Sequence, residues 1–338
     1  MTIAKNLIDL RVWLSDFEYN LPKKLIAQYP LKERDRAKLL ILDRTTGRIE
    51  HKTFKDIISY LKPSDLLVLN TTKVIPARLF GRRATGGRVE ILLIRKEKSW
   101  LALARPSRRI HPGEEISFEK GLKGIIGRRR DDGKWEIEFN NDSLIWEIGK
   151  PPLPPYIRRE AEDIDKEAYQ TVYAKEEGSV AAPTAGLHFT RSLLKEIKEK
   201  GIDIAHINLH IGPGTFKPIK TERIEEHRME EEYYEIKGEV FKKIEKARRV
   251  VAVGTSVVRA LEEASRKRSL KGWAELFIYP GYRFQVVDAL ITNFHLPAST
   301  PLLLVSGFAD RELIYKAYKE AIRRKYRFLS YGDAMLIL

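Results

Sequence analysis

The sequence predicts a mixed α/β protein, a large α/β domain carrying an inserted small antiparallel β-barrel. Three observations carry this reading. Residues 16 to 73 and those after 155 alternate short apolar runs with helical segments, as strands and crossover helices do. Residues 74 to 151 hold short β-rich runs broken by glycine, spaced like a small barrel. A chain of 338 residues with 43% hydrophobic content is long enough for two domains or one domain with an insertion. The boundaries are placed at 1–73 with 152–338 for the discontinuous α/β domain, and at 74–151 for the barrel.

In chain order, Lys38 to Asp43 is an apolar strand, Arg44 to Arg48 a Thr-Thr-Gly turn and Ile49 to Phe54 the return, so a hairpin is expected. Phe54 to Leu61 has helical spacing and stops before Pro63. Leu66 to Asn70 reads as a buried strand. The barrel runs are Val89 to Ile94, Trp100 to Ala104, Glu115 to Phe118, Gly124 to Arg128 and Trp135 to Phe139. Pro-Pro-Leu-Pro-Pro, 151–155, ends that region as a stiff linker.

Further on, Thr190 is placed to cap a helix Arg191 to Lys200 that ends at Gly201. Ile202 to Ile211 alternates, so His206, Asn208 and His210 share one face of a strand. Arg249 to Val253 is a buried strand running into Gly254-Thr255-Ser256 and a helix Val257 to Ala264. Val286 to Phe294 is another strand, with Asn293 and His295 on one face and Thr292 and Phe294 on the other. Thr300 is expected to cap a helix with Pro301 at its first position, where no N–H is needed. The tail is a basic helix Glu312 to Lys325, then Phe328 to Leu338.

The absence of cysteine excludes disulfides, thiolate metal sites and cysteine nucleophiles, and points to a cytoplasmic location. No run of about 18 apolar residues indicates a membrane-spanning helix. Met1 to Leu14 lacks a small-residue cleavage site and does not read as a signal peptide. The formal charge of +15, from 62 Lys and Arg against 47 Asp and Glu, suits a polyanionic partner. A charge-rich, thermophilic surface accounts for it equally, and composition does not separate the two. Residues 74–151 carry 17 Lys or Arg against 11 Asp or Glu, and 11 of the 17 are arginine, whose planar fork matches phosphate. A solvated barrel surface would look the same.

Residues 178–190, Gly-Ser-Val-Ala-Ala-Pro-Thr-Ala-Gly-Leu-His-Phe-Thr, set His188 among small residues just before a helix start. Small side chains admit a ligand close to the backbone, although a tight buried turn uses the same residues. Gly254-Thr255-Ser256 puts free N–H groups at a strand's carboxyl end, with Arg259 one helical turn in. Neither a Walker loop nor a Gly-x-Gly-x-x-Gly fingerprint is present, and a plain capped helix start remains open. His227 to Tyr234 concentrates an imidazole, carboxylates and two phenols, suited to acid–base work or to holding a cation, or else to a solvated face. A metal held by His227 with Glu231 is possible only if that segment is helical, and no second His-rich partner has ligand spacing. His295 ends a strand, where histidines also serve as packing or turn residues.

The chain resembles the S-adenosylmethionine:tRNA ribosyltransferase-isomerase family of queuosine biosynthesis. The matching segments run nearly end to end: 16–22, 67–79, 152–157, 169–174, 178–190, 209–216, 251–259, 292–297 and 328–336. The resemblance implies a large α/β domain with an inserted barrel. It implies transfer and isomerisation of the ribosyl portion of S-adenosylmethionine onto 7-aminomethyl-7-deazaguanine at the tRNA wobble position. Epoxyqueuosine-tRNA forms, and adenine and methionine leave. S-adenosylmethionine is then a co-substrate, with no permanently bound cofactor and no metal; the partner is tRNA, no membrane is involved and a monomer is expected. Proton transfers around a sulfonium nucleoside need imidazoles or carboxylates, for which the candidates are His188, His210 and Glu231, then His227 and His295. Gly254, Thr255, Ser256, Arg259 and Asn293 are the candidates for holding the substrate, with Tyr233, Tyr234 and Phe189 for the adenine or sulfonium. Arg78, Arg82, Arg83, Arg128, Arg129 and Arg130 are the candidates for tRNA phosphates. Two other classes stay open on the residues alone, a non-catalytic RNA-binding protein and an α/β enzyme of free nucleotides or sugar phosphates.

Overall fold

Strands that are apolar on every residue can be stable only where both sheet faces are covered, and the runs Leu66–Leu69, Val250–Val253 and Ala289–Ile291 have this composition. The computed structural model describes residues 12–338. The stretch read above as no signal peptide therefore lies, up to residue 11, outside the described residues. The chain opens with the hairpin β1 (Lys38–Leu42) and β2 (Ile49–Thr53), then β3 (Asp65–Asn70) and β4 (Thr72–Val74). Six strands follow: β5 (Arg78–Arg83), β6 (Arg88–Lys96), β7 (Trp100–Arg105), β8 (Glu115–Ser117), β9 (Lys123–Arg129) and β10 (Trp135–Phe139). After them come α1 (Ser143–Ile148), α2 (Asp163–Ala168), β11 (Glu176–Ser179), α3 (Arg191–Glu199), β12 (Asp203–Leu209) and β13 (Glu232–Ile236). The rest is α4 (Gly238–Lys246), β14 (Arg249–Val253), α5 (Thr255–Lys267), β15 (Lys271–Ala274), β16 (Ala289–Asn293), α6 (Thr300–Phe308), α7 (Arg311–Arg323) and β17 (Ala334–Ile337).

Nine of the strands form one mixed sheet in the order β15-β13-β12-β3-β14-β16-β17-β1-β2. Its centre, β12-β3-β14-β16, is parallel, and β13 and β17 run antiparallel on either side. One face packs Val68, Ile207, Ala252 and Leu290 against α5, α6 and α7. The other packs Leu67, Leu69, Val251 and Ile291 against α3 and the segment around Phe54 and Phe189. Strands β5 to β10 close into an antiparallel barrel with its own core, which includes Leu79, Ile91, Trp135 and Ile137. The chain enters the barrel through β4, which pairs in parallel with β11, so the barrel stands beside the carboxyl ends of β3 and β12.

Several local expectations change. The barrel has a sixth strand, β5, which the sequence reading did not recognise because arginines take its outward positions. Residues 54–60 form a 3₁₀-helix. The helix expected from Val257 begins at Thr255 and runs to Lys267. Helix α6 is capped by Ser299, whose Oγ accepts from Leu302 N, and Thr300 is its first residue. The proline segment is packed structure instead of a linker: Leu153 is buried with Val74, Ile157 and Tyr169. The strand expected from Val286 begins only at Ala289. The N–H groups of Gln285, Val286 and Val287 turn instead to the buried Glu262 carboxylate, at 2.9, 3.0 and 3.1 Å, and the Tyr282 hydroxyl adds a fourth bond at 3.1 Å.

Glu262 is fully buried and among the described residues has no ion-pair partner, so truncation leaves the buried Val287 N–H and its neighbours at Gln285 and Val286 without their acceptor. Glu262→Ala is expected to lower the unfolding free energy by about 3 kcal/mol or more, read from urea unfolding. A loss below about 1 kcal/mol would show that the loop finds other acceptors.

Candidate active site at the sheet edge

The carboxyl ends of the parallel strands deliver Asn70, Leu209, Val253 and Asn293 to one edge of the sheet. Ligands of open α/β sheets bind at this edge, because helices start there and no side chain closes it. The fully buried Asn70 organises it. Its Nδ2 donates to Leu209 O at 2.9 Å and to Ser256 Oγ at 3.3 Å. Its Oδ1 accepts from Leu209 N and Thr72 N, each at 3.1 Å. One amide thus satisfies both peptide groups of Leu209, as a neighbouring strand would, and ties β3, β12 and α5 together.

Beyond β14, Gly254 has φ 91° and ψ 153°, a conformation that an L side chain rarely adopts. The turn lets α5 start at once, and the first N–H groups of a helix have no acceptor within it. The N-terminus of α5 lines an open cleft, through Gly254, Thr255 and Ser256. Phe216, Phe277, His295 and Ser330 form other parts of the wall. Asn293 lies there too: its Nδ2 donates to Leu329 O at 2.9 Å, but its buried Oδ1 has no protein partner.

Arg259 is buried, and its fork is committed. Nε donates to Leu276 O at 3.2 Å, Nη2 to Ala274 O at 3.0 Å and Nη1 to the Glu232 carboxylate. Protein thus takes three of the five N–H donors of Arg259, a substrate-holding candidate from the sequence, and turns its fork toward Glu232 at the cleft wall. Glu232 also accepts from Gly212 N at 2.8 Å. Burial pushes its carboxyl up, and the Arg259 guanidinium opposes that.

Three imidazoles surround this edge. His295 Nε2 lies 2.8 Å from Thr292 Oγ1, its N–H donates to Tyr318 Oη at 3.0 Å, and the Tyr19 hydroxyl donates to its carbonyl. The chain has left the extended strand here, so His295 pairs with Thr292 instead of sharing a face with Asn293. Burial pushes the His295 imidazole down to about 3. His210 Nδ1 lies 2.9 Å from Thr72 Oγ1, which is 2.7 Å from Ser179 Oγ, and Ser179 Oγ accepts from Ile211 N at 2.7 Å. The His210 ring lies against Gly178, where an added Cβ would come within 2.6 Å of it. Burial lowers its pKa as well, with Glu176 opposing. His188 packs on Phe54 with ring centroids 4.9 Å apart, and its buried Nε2 has no hydrogen bond. Burial takes it to about 4, partly offset by Asn293 beside it. All three rings are therefore neutral near pH 7.

The groups expected to meet in one pocket occupy three adjoining recesses. His295 lines the cleft; His210 and Glu231 line a groove between the sheet and the barrel; His188 lies in a small recess with Arg34 and Tyr331. Cleft and groove share Ile211 and Glu232, and cleft and recess share Ser330. Residues 227–231 are not helical, so His227 and Glu231 do not present a helical ligand pair. His227 instead stands edge-on to Phe277 at 5.0 Å. Among the described residues no group of three or more His, Asp or Glu is arranged to hold a metal ion.

Tyr233 lines the groove, whereas Tyr234 is buried with its hydroxyl donating to Ser269 O at 3.1 Å. Phe189 is fully buried and meets Phe54 edge-on at 5.0 Å. Both Tyr234 and Phe189 are corrected to core residues. Of the barrel arginines, Arg78 pairs with Glu90 at 3.2 Å, Arg83 with Glu114 at 2.6 Å, and Arg130 with Glu97 and Glu136 at 2.5 and 2.9 Å. Arg82, Arg128 and Arg129 remain exposed, although Arg128 reaches Glu136 at 3.4 Å. Sequence reasoning missed Asn70, Thr72, Ser179, Glu232 and Thr292. One signal was available: small polar residues closing an apolar strand, as in Leu-Val-Leu-Asn-Thr-Thr (67–72) and Leu-Ile-Thr-Asn (290–293).

A cleft at the carboxyl edge of parallel strands, a helix N-terminus within it and neutral imidazoles held by hydroxyls define an α/β enzyme that moves protons around a small ligand. The family model described as "Queuosine biosynthesis protein" matches residues 14–337. The chain is 53% identical to the S-adenosylmethionine:tRNA ribosyltransferase-isomerase of Halothermothrix orenii, over 96% of this chain and 99% of that protein. It is 51% identical to the protein of the same name from Thermotoga petrophila, with the same coverage. The crystal structure of an S-adenosylmethionine tRNA ribosyltransferase from Thermotoga maritima aligns with a TM-score of 0.56 at 40% identity, covering 96% of this chain and all of that one. The chain belongs to this family of queuosine biosynthesis proteins.

The neutral rings set the acid response of the fold. His188 and His295 titrate near 6.5 when unfolded but at about 4 and about 3 when folded, so the unfolded chain binds more protons between these values. Stability is complete above about pH 6.5 and falls as pH drops toward 4, by up to about 1.4 kcal/mol per pH unit for each ring. The urea midpoint is expected to follow that course, with a shallower slope in His188→Gln; an unchanged slope would show that folding does not shift the His188 pKa.

Proposed function

We propose that this chain is an S-adenosylmethionine:tRNA ribosyltransferase-isomerase. It transfers and isomerises the ribosyl moiety of S-adenosylmethionine onto 7-aminomethyl-7-deazaguanine at the tRNA wobble position. The product is epoxyqueuosine-tRNA, and adenine and methionine are released. The observation that carries this is the near full-length match, 53% identity over 96% of the chain, to a relative bearing that name.

The cleft takes S-adenosylmethionine, with the methionine carboxylate at the N–H groups of Thr255 and Ser256, where the helix dipole favours an anion. The unpartnered Asn293 Oδ1 accepts from the adenine amino group or a ribose hydroxyl, with the Nδ2 bond to Leu329 O fixing its position and the His188 ring beside it. The sulfonium faces the aromatic rings of Phe216 and Phe277 and the Glu232 carboxylate. Glu232 keeps its charge through Arg259, which is a positioning residue here.

Two of the neutral rings then have a proton to take. His210, between groove and cleft, removes one from the incoming ammonium so that the amine can attack. His295 removes a C5′ proton acidified by the sulfonium and returns it to the departing adenine, with Thr292 holding its ring. Glu231, exposed at the groove rim, attracts the ammonium, and His227 supports Phe277 from behind. Arg82, Arg128 and Arg129 are placed for tRNA phosphates. Residues 74–151 act as the barrel unit, and 1–73 with 152–338 as the catalytic one. The active unit is read as a cytoplasmic monomer. No helix among the described residues is long and apolar enough to cross a membrane.

Incubation with S-adenosylmethionine and tRNA bearing the aminomethyl base is expected to release free adenine, measured by chromatography; none from the wild-type chain would overturn the assignment. His295→Ala and Gly178→Ala, which displaces the His210 ring, are each expected to slow release by about 100-fold or more. Release within a few-fold of wild type would remove that ring from the mechanism.

A further inference from the structure

Large aromatic side chains are normally buried, yet Trp146 and Trp273 are 43% and 38% exposed, and both line the groove between barrel and sheet. They face it from opposite sides. On the sheet side, Trp273 of β15 pairs in register with Tyr233 of β13, and their rings meet edge-on at 5.6 Å. Tyr233 in turn stacks on His210, with centroids 6.1 Å apart and planes at 24°. At the outer end the Arg95 guanidinium lies 4.6 Å over the Trp273 ring. Arg95, Trp273, Tyr233 and His210 thus form one continuous ladder from the rim to the proposed base. On the barrel side, Trp146 meets Trp100 at 6.2 Å, and Lys96 lies 5.9 Å over Trp100.

We infer that this groove is a stacking site for unpaired RNA, holding bases of the anticodon loop that flank the modified nucleotide; the inference rests on the activity proposed above. Bases of any identity stack on exposed aromatic faces, and cations along a groove follow the sugar–phosphate backbone. Duplex RNA buries its base faces and would leave the ladder unused. The acidic groups fit this orientation. Arg95 keeps a partner in Glu97 at 2.7 Å and Lys96 in Asp142, on the cationic side, while Glu177 and Glu231 line the groove itself. Phosphates therefore run along the Arg95 and Lys96 side, and base amino groups point toward the carboxylates. The groove offers about 340 Å³ and shares Ile211 and Glu232 with the cleft, so a stacked loop holds its central base next to the sulfonium site. The barrel contributes one aromatic wall here, a role distinct from that of its outer arginines.

The test titrates the full chain with an anticodon stem-loop RNA, following tryptophan fluorescence and direct binding, alongside the adenine assay and the affinity for S-adenosylmethionine. Trp273→Ala and Trp146→Ala are each expected to weaken stem-loop binding by about 5- to 150-fold. Trp273→Phe recovers most of that loss, and S-adenosylmethionine affinity and melting temperature stay near wild type. Wild-type adenine release together with stem-loop binding unchanged in both alanine variants would overturn the groove while leaving the activity intact. Equal affinity for a fully paired duplex would overturn it as well. Absence of adenine release from the wild-type chain, with the tryptophan-dependent binding preserved, would instead count against the activity and leave the groove as an RNA site.

Discussion

A single buried amide holds the catalytic edge of this protein together. Asn70 closes both peptide groups of Leu209, orders the turn into Thr72 and reaches Ser256 at the start of α5. Each of those segments then carries a working part. Thr72 steadies His210, Leu209 leads directly to it, and Ser256 belongs to the helix end that faces the cleft. An amide presents one donor group and one acceptor group on the same plane, so it can replace a missing strand neighbour in a way that a carboxylate or hydroxyl cannot. Left unpaired at this depth, the same groups would be costly, so the edge is cohesive only as a complete set.

Burial is the second organising force, and it sets the chemistry. The imidazoles of His188, His210 and His295 are all shifted toward neutrality by loss of water, and no carboxylate is close enough to reverse the sign. A neutral ring accepts a proton from an ammonium or a carbon acid, and the imidazolium so formed is a strong donor in a dry site. The one buried carboxylate at the cleft, Glu232, is pushed up by burial, and Arg259 and the N–H of Gly212 oppose that and favour its charged form. The protein therefore places fixed negative charge and neutral bases around the same space, which is the complement of a sulfonium whose neighbouring protons must leave.

Much of the architecture was legible because burial on both sheet faces writes itself as unbroken apolar runs. β1, β3 and β14 were read at nearly their observed limits for that reason. β5 was not, since its outward arginines broke the run, and only closure of the barrel makes them tolerable on a strand. The proline segment was read as a linker because its composition suits one, but Leu153 is buried by residues distant in sequence. The start of β16 was placed early because Val286 and Val287 have strand propensity, and Glu262 claims their N–H groups first.

For the site, local chemistry was readable and partnership was not. The sequence by itself established the α/β class with its barrel, the helix starting behind Gly254, and the histidines that end or precede regular elements. It also carried, in the order of its motifs, the resemblance to the family. What only the tertiary structure decided was which groups are spent and which are free: Arg259 neutralised by Glu232, Tyr234 and Phe189 drawn into the core, Asn293 left with an open acceptor, and the imidazoles distributed over three linked recesses. The physical reason is the range of the interactions. Propensity and alternation act over a few residues, whereas the bonds of Asn70 span 139 and 186 positions and exist only once the strands have packed side by side.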